Sequence, residues 1–310
     1  MSPKARVLVT PRSLTERGLD AVGELDPLRN AGFELISGPP NRLPTEDELL
    51  GLVPGCVGWL AGVEPISERV LCATTQLRVI SRNGGGTDSI DMAAAERAGV
   101  RVERAAGANA QGVAELTLAL AMCGLRYVWS TSAALRQGRW ERSLGSELAE
   151  CTVGVVGLGA VGRRAADLFA MLGADVVAYD PFVSHGPVRL VGLDDLLATS
   201  QVVSLHCPPS QDGRALIAAD RLAGVARGTV LVNTARSALV DDDAVLAALE
   251  DGTLAAYAVD AFDREPPDLT PLLRHPRVIA TPHIGGYTSA SVSRSTSQAV
   301  DNIVTVLGNG

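Results

Sequence analysis

The chain has 310 residues, 46% of them apolar and 20% charged, with a formal net charge of −8. This length exceeds one comfortable core and implies two domains with a cleft, while the acidic balance offers no electrostatic footprint for nucleic acid or an anionic membrane. Lys4 is the sole lysine, which excludes a lysine Schiff base and a P-loop lysine, and the five cysteines (56, 72, 123, 151, 207) are scattered, odd in number and mostly inside apolar runs. They read as buried thiols in a reducing compartment, with no disulfide frame and no metal.

The N-terminal M-S-P-K-A-R leads straight into V-L-V-T with no secretory pattern. The longest apolar helical stretch, 113–128, is interrupted by Glu115 and Arg126 and is too short to span a bilayer, so a cytoplasmic protein is expected. Short apolar runs at 7–10, 34–36, 57–60, 77–80 and 100–103 alternate with helical segments near 15–24, 45–52, 67–73 and 89–98. This rhythm predicts a small doubly wound parallel sheet. Ligands of such sheets sit beyond the carboxyl ends of the strands, at Pro11-Arg12-Ser13, Ala61-Gly62-Val63 and Arg82-Asn83-Gly84-Gly85-Gly86. The glycine run is either a flexible turn or an anion-binding nest, since both need the same residues. Residues 105–109 look like a crossing point. A long helix is expected over 111–137, its face of Val113, Leu116, Leu120, Gly124 and Val128 serving as core or subunit contact.

The stretch 151–180, C-T-V-G-V-V-G-L-G-A-V-G-R-R-A-A-D-L-F-A-M-L-G-A-D-V-V-A-Y-D, reads as strand, glycine turn, helix, strand and acid. Gly157 permits the tight turn, Gly159 lets backbone approach a pyrophosphate at the helix N-terminus, and Gly162 lets helix and strand pack closely. Asp180, 23 positions after Gly157, can accept both ribose hydroxyls of NAD and repel the extra phosphate of NADP. Further strands at 202–205, 229–232, 256–259 and 278–280, with helices near 193–198, 218–223 and 242–250, complete an expected six-strand second sheet. The last segment, 289–307, is helical and comes too late for that sheet, so it should cross back onto the first domain.

Three stretches end strands of the second sheet: N-T-A-R-S-A-L-V-D around Arg236, V-D-A-F-D-R-E-P-P around Glu265 and T-P-H-I-G-G around His283. A cation, a carboxylate and an imidazole on one rim suit oxidation of a 2-hydroxy acid. Arginine can grip the substrate carboxylate with its planar fork, imidazole can take the hydroxyl proton, and the glutamate can fix the ring tautomer and stabilise its charged form. Taken singly, Arg236 also reads as a surface arginine and Glu265 as a turn residue. His185 and His275 lie in Gly/Pro loops and read as structural; His206 ends a strand and is structural or cofactor-adjacent.

On these motifs, together with L-A-G-V-E-P-I, R-N-G-G-G-T-D-S-I-D, G-A-N-A-Q-G-V-A-E-L and H-C-P-P, the chain resembles the NAD-dependent D-2-hydroxyacid dehydrogenases almost end to end, and among them the phosphoglycerate dehydrogenase type. The resemblance implies that Arg236, Glu265 and His283 are catalytic and that Asp180 holds the adenosine ribose. It implies that Ala160 and Val161 cover the pyrophosphate, that His206, Cys207, Pro208, Thr234, Ala235, Gly285 and Gly286 line the cofactor, and that Asp260 meets the carboxamide. Leu60, Ala61, Gly62 and Val63, with Asn83 and Gly84, would receive the substrate carboxylate, and a homodimer would form through the 105–150 region. Arg12 and Arg82 follow strands of the first sheet and should face the cleft. Two guanidinium groups there suit a second anionic group such as phosphate or phosphonate, unless they turn out to solvent.

The chain also departs from the family pattern. Gly213-Arg214-Ala215-Leu216-Ile217 stands where a T-R-G-L-I segment is usual, Ser237 and Ala238 follow the catalytic arginine in place of Gly-Gly or Gly-x, and the regulatory C-terminal domain of longer relatives is not expected. The resulting expectation is α/β, with two doubly wound parallel-sheet domains: a flavodoxin-like substrate domain (1–104 and 285–310) and a Rossmann NAD domain (105–284). The same fold also serves as an NADH-sensing corepressor, which is the alternative from another class. A phosphite-type dehydrogenase is an enzymatic rival, but that relative carries a lysine in the substrate loop and 60–63 has none.

Overall fold

The structure is a computed structural model that describes residues 4–210 and 212–308. The chain forms two compact units, Met1–Asn109 with Thr288–Gly310, and Ala110–Tyr287. Among the described residues no single helix is long and apolar enough to cross a membrane.

The first unit is built on β1 (Arg6–Val9), β2 (Glu34–Ser37), β3 (Cys56–Ala61), β4 (Val79–Arg82) and β5 (Arg101–Arg104). These strands are parallel in the order β2-β1-β3-β4-β5. Strands buried on both faces read as near-continuous apolar runs, and each face here has its own core. Leu8, Trp59 and Ile80 pack on one side with Leu49, Val70 and Ile90. Val7, Val9, Leu60 and Val79 pack on the other against Ala299, Val300, Ile303 and Leu307 of the Ser289–Gly308 helix. The Glu46–Leu52 helix starts at a capping box, in which the Thr45 side chain accepts from the Glu48 N–H and the Glu48 carboxylate accepts from the Thr45 N–H at 2.8 Å.

The helix expected near 15–24 does not form. In its place are a turn of helix at Arg12–Thr15 and 3-10 turns at Leu19–Ala21 and Gly23–Leu25, followed by a short helix at Asp26–Asn30. Gly18 stops the first turn with a φ of 75°, a left-handed setting that a right-handed helix cannot pass through.

The second unit carries β6 (Thr152–Val156), β7 (Asp175–Tyr179), β8 (Arg189–Leu190), β9 (Val202–Leu205), β10 (Thr229–Asn233), β11 (Leu254–Val259) and β12 (Val278–Ala280). All are parallel in the order β12-β11-β10-β9-β6-β7-β8. The sheet therefore has seven strands where six are expected from the sequence. The addition is β8, whose two residues pair with Val177 and Ala178; the apolar residues around it, Val188, Leu190 and Val191, are broken by Arg189 and set between Pro187 and Gly192, too short a stretch to announce a strand.

The long helix expected over 111–137 is two helices, Ala110–Leu125 and Val128–Arg136, bent by 63°. Tyr127 between them has a φ of 52°, which ends one right-handed helix and re-aims the next. Up to Leu125 the first helix packs on β10 and β11; a Cβ on Gly124 would lie 2.6 Å from Val230 Cγ1. Beyond it Arg126, Val128 and Trp129 are exposed, so Val128 does not join the buried face that Val113, Leu120 and Gly124 form.

Candidate active site

In an open parallel sheet the binding crevice lies where strand order reverses. In the second unit that point is between β6 and β9, and the glycine turn sits on it. Gly157 has a φ of 94°, and a Cβ there would lie 2.7 Å from the His206 carbonyl oxygen, so the loops after the two strands touch backbone to backbone. A Cβ on Gly162 would lie 1.9 Å from the Gly157 oxygen, which fixes how closely the Ala160–Met171 helix meets the turn. Gly159 differs: nothing lies within 4 Å of its would-be Cβ. It is the helix N-cap and makes no side-chain capping bond, so the N–H groups of exposed Ala160 and half-buried Val161 open toward free space with the positive end of the helix dipole behind them. Such an arrangement can cradle a pyrophosphate. At the end of β7, Asp180 is held by two backbone donors, the Leu158 N–H to Oδ2 at 2.8 Å and the Phe182 N–H to Oδ1 at 2.9 Å. Each oxygen keeps capacity for a ribose hydroxyl, and the residues present fit NAD.

His206 Nε2 lies 2.7 Å from Ser204 Oγ. An edge of the residue stays accessible, but its ring is packed in protein, and burial pushes it down to about 4, so it is neutral at physiological pH. Burial, with the Asp180 charge as a smaller contribution, pushes the Cys207 thiol up to about 11. It packs as a small apolar side chain and is no nucleophile.

The three proposed catalytic residues follow β10, β11 and β12, whose carboxyl ends share one rim. Buried Asn233 closes the turn after β10: its Nδ2 donates to the Arg236 carbonyl at 2.8 Å and its Oδ1 accepts from the Ala235 N–H at 3.2 Å. Thr234 Oγ1 lies 2.9 Å from Thr117 Oγ1, tying the same turn to the Ala110–Leu125 helix. Half-buried Arg236 donates from Nη1 to the Ala235 carbonyl at 2.7 Å. His283 Nδ1 lies 2.5 Å from Glu265 Oε1. With Nδ1–H donating to the carboxylate, Nε2 is the nitrogen left to exchange a proton, and the 41% exposure of the ring leaves that edge reachable.

His283 has a φ of 54°, a left-handed setting that a histidine adopts only under constraint. The constraint comes from Asp260, 2% exposed, at the end of β11. Its Oδ1 accepts from Thr281 Oγ1 at 2.6 Å and from the Ile284 N–H at 2.8 Å, and its Oδ2 accepts from the Gly285 N–H at 2.8 Å. Gly285 is required there, since a Cβ would lie 2.9 Å from Oδ2. The sequence reading sends Asp260 to a carboxamide; its contacts show it holding the loop that carries His283. That role and that of Thr117 escape sequence reasoning because each depends on which elements the sheet brings side by side; that of Asn233 is local to its own turn and carries no motif to announce it.

The first unit has its own reversal point, between β1 and β3, and the expected substrate loops lie on that rim. Their amides are less free than the sequence suggests. The Gly62 N–H donates to Glu64 Oε1 at 2.9 Å, the Asn83 N–H to the Ala61 carbonyl at 2.8 Å and the Gly84 N–H to the Arg82 carbonyl at 2.8 Å. Arg12 is exposed, whereas half-buried Arg82 turns back on its own loop, donating from Nη1 to the Asn83 carbonyl at 2.6 Å.

Residues 118–285 match the model of the D-isomer specific 2-hydroxyacid dehydrogenase NAD binding domain. The chain belongs to that family. It is 36% identical over 268 residues to D-3-phosphoglycerate dehydrogenase of Mycobacterium bovis, covering 84% of this chain but 51% of the relative, so it spans about half the length of that protein. It is 32% identical over 296 residues to hydroxypyruvate reductase of Thermotoga maritima, covering 91% of this chain and 97% of that one. Among solved structures, a glyoxylate reductase from Paecilomyes thermophila superposes with a TM-score of 0.84 at 26% identity, covering 98% of this chain and 95% of the other. The glycine turn and the Arg236, Glu265 and His283 loops all fall within the matched family domain.

Proposed function

We propose that the protein transfers a hydride reversibly between NAD and a short D-2-hydroxy acid and its 2-oxo acid. The observation that carries this reading is the His283–Glu265 pair, 2.5 Å apart, on the same strand-end rim as Arg236. Bound NAD supplies the hydride acceptor in one direction and the donor in the other. Arg236 takes the substrate carboxylate and polarises the neighbouring oxygen. His283 Nε2 removes the hydroxyl proton as hydride leaves and returns it in reduction, while Glu265 holds the ring in the tautomer that leaves Nε2 free and stabilises its charged form. Gly157, Gly159, Ala160, Val161 and Gly162 hold the pyrophosphate and Asp180 the ribose. His206, Cys207, Pro208, Thr234, Ala235 and Gly286 line the same side, and Gly285 acts there through Asp260. In the first unit Leu60, Ala61, Gly62, Val63, Asn83 and Gly84 are the substrate-loop candidates.

Hydroxypyruvate, glyoxylate and 3-phosphohydroxypyruvate are the 2-oxo acids to offer first, given the names of the relatives. The inward turn of Arg82 favours the two that lack a phosphate; exposed Arg12 remains the candidate for a phosphate if the third is preferred. The 110–150 segment exposes Trp129, Leu135, Trp140 and Leu144, more apolar surface than a lone protomer leaves to water without reason, and we assign it to a homodimer contact. With this reaction we keep the expectation of a cytoplasmic protein, where NAD and such acids are at hand. The deciding experiment is turnover of a panel of 2-oxo acids with NADH, with NADPH as the control that Asp180 should reject. NADH binding without turnover of any of them would favour a sensor or corepressor.

A further inference from the structure

The first unit buries a carboxylate for which the proposed mechanism has no use. Glu64 is fully buried just past β3, at the point where the order of the first sheet reverses. Trp59 Nε1–H donates to Thr10 Oγ1 at 2.8 Å, the Thr10 hydroxyl donates to Glu64 Oε1, and the Gly62 N–H donates to the same oxygen at 2.9 Å. Glu64 Oε2 has no hydrogen-bond partner among the described residues. It occupies the space a side chain at 62 would need: a Cβ on Gly62 would lie 2.6 Å from Oε2 and 3.2 Å from Pro11 Cα. The carboxylate thus folds back under its own loop and ties the end of β1, the indole of β3 and the Gly62 amide together. A carboxyl group buried with one bare oxygen lowers stability, so its place here calls for a return in geometry.

We propose that Glu64 is the positioning residue of the loop after β3: it fixes the Ala61–Gly62 peptide by accepting its N–H, and so sets the path on which the chain enters the Gly62–Val63 peptide and takes a substrate carboxylate. This rests on the proposed reading of the protein as a 2-hydroxy acid dehydrogenase. Glu64 touches neither substrate nor cofactor and acts by holding one amide still. Glu64→Gln keeps an acceptor oxygen for Thr10 and Gly62, whereas Glu64→Ala keeps none.

The test measures steady-state kinetics on the best 2-oxo acid of the panel, NADH affinity, and hydrogen exchange of the 60–64 segment in the wild type and four variants. Glu64→Ala should raise KM for the 2-oxo acid by roughly 3- to 10-fold, the size of one hydrogen bond, with kcat and NADH affinity unchanged and faster exchange at 60–64. Glu64→Gln should restore both readouts to near the wild type. Gly62→Ala should reproduce the alanine phenotype, and adding it to Glu64→Ala should cost less than the sum of the two, because the nearer clash, with Oε2 at 2.6 Å, is gone and only the 3.2 Å approach to Pro11 Cα remains. Exchange at 60–64 unchanged in Glu64→Ala, KM unchanged, or additive losses in the double variant would each overturn the positioning role. Wild-type protein that turns over no 2-oxo acid would instead sink the functional reading, and the exchange data would still stand or fall separately.

Discussion

Replacing Asp260 by Asn separates two readings of one carboxylate. Its Oδ1 serves Thr281 Oγ1 and the Ile284 N–H and its Oδ2 serves the Gly285 N–H, so an amide, which has one acceptor oxygen, cannot satisfy both sides. Whichever way it turns, its NH2 group faces a backbone N–H that has lost its acceptor, at a cost of about 1–3 kcal/mol. In a unit of this size that corresponds to a fall of roughly 2–12 °C in Tm. The same bonds hold His283 at a φ of 54°, a setting that costs an L-residue roughly 1–2 kcal/mol and that the loop will leave when the bonds weaken. If that free energy falls on the step in which the His283 ring is proposed to take part, it corresponds to about a 5- to 30-fold fall in kcat. Scanning calorimetry and steady-state kinetics measure the two effects, and Asp260→Asn with His283→Asn should be non-additive in kcat because both act through one ring. An Asp260→Asn variant with unchanged Tm and kcat but a raised KM for NADH would refute the loop-holding role and return the residue to the carboxamide.

His283→Asn alone should lower turnover by roughly 10²-fold or more, the usual cost of a lost general acid-base, while fluorescence titration finds NADH affinity nearly unchanged; a mutant of near-normal turnover would remove His283 from the mechanism. Two glycines of one turn should respond in opposite ways. Gly159→Ala has open space for its methyl group and should fold normally yet bind NADH poorly, whereas Gly162→Ala drives a methyl group to 1.9 Å from the Gly157 oxygen and should lose stability; equal behaviour of the two in thermal melts would contradict the cradle. Stability should also fall in mild acid through His206, lowered from 6.5 to about 4 by burial. A depressed folded-state value means that the unfolded chain takes the proton first, so this contribution is complete above pH 6.5 and drains away as pH falls toward 4, on the order of 3 kcal/mol in all. Melts of His206→Asn across that range should show a shallower decline than the wild type.

The sequence displays what depends on neighbours along the chain. The spacing of Gly157, Gly159, Gly162 and Asp180 announces strand, turn, helix and acid, and apolar runs locate every strand except β8. That strand is two residues long in a stretch too short to read as one, and its pairing with Val177 and Ala178 is a gift of the sheet edge. The 63° bend at Tyr127 was hidden because apolar residues continue in helical register on both sides of it while their packing partners do not. Arg236, Glu265 and His283 could be picked out as residue types at strand ends. The groups that hold them could not: Asp260 and Thr117 acquire their tasks only when separate elements meet, and Asn233, whose bonds stay within its own turn, reads in sequence as an ordinary strand-end residue. Glu64 stands in the L-A-G-V-E-P-I motif, but nothing along the chain says that it folds back to meet the Gly62 amide and Thr10.

The Ser289–Gly308 helix belongs to the first unit, yet the whole of 110–287 is translated before it. Until it emerges, Val7, Val9, Leu60 and Val79 lack the Ala299, Val300, Ile303 and Leu307 side chains that cover them. The nascent chain must therefore carry a five-strand sheet with one apolar face uncovered while its second unit, all of whose strands are contiguous in sequence, is free to close. Domains tend to fold as they are made, and bare sheet faces invite aggregation. For this chain the earlier half is the later to finish, and its time of exposure on the ribosome is set by the length of the segment between its two parts.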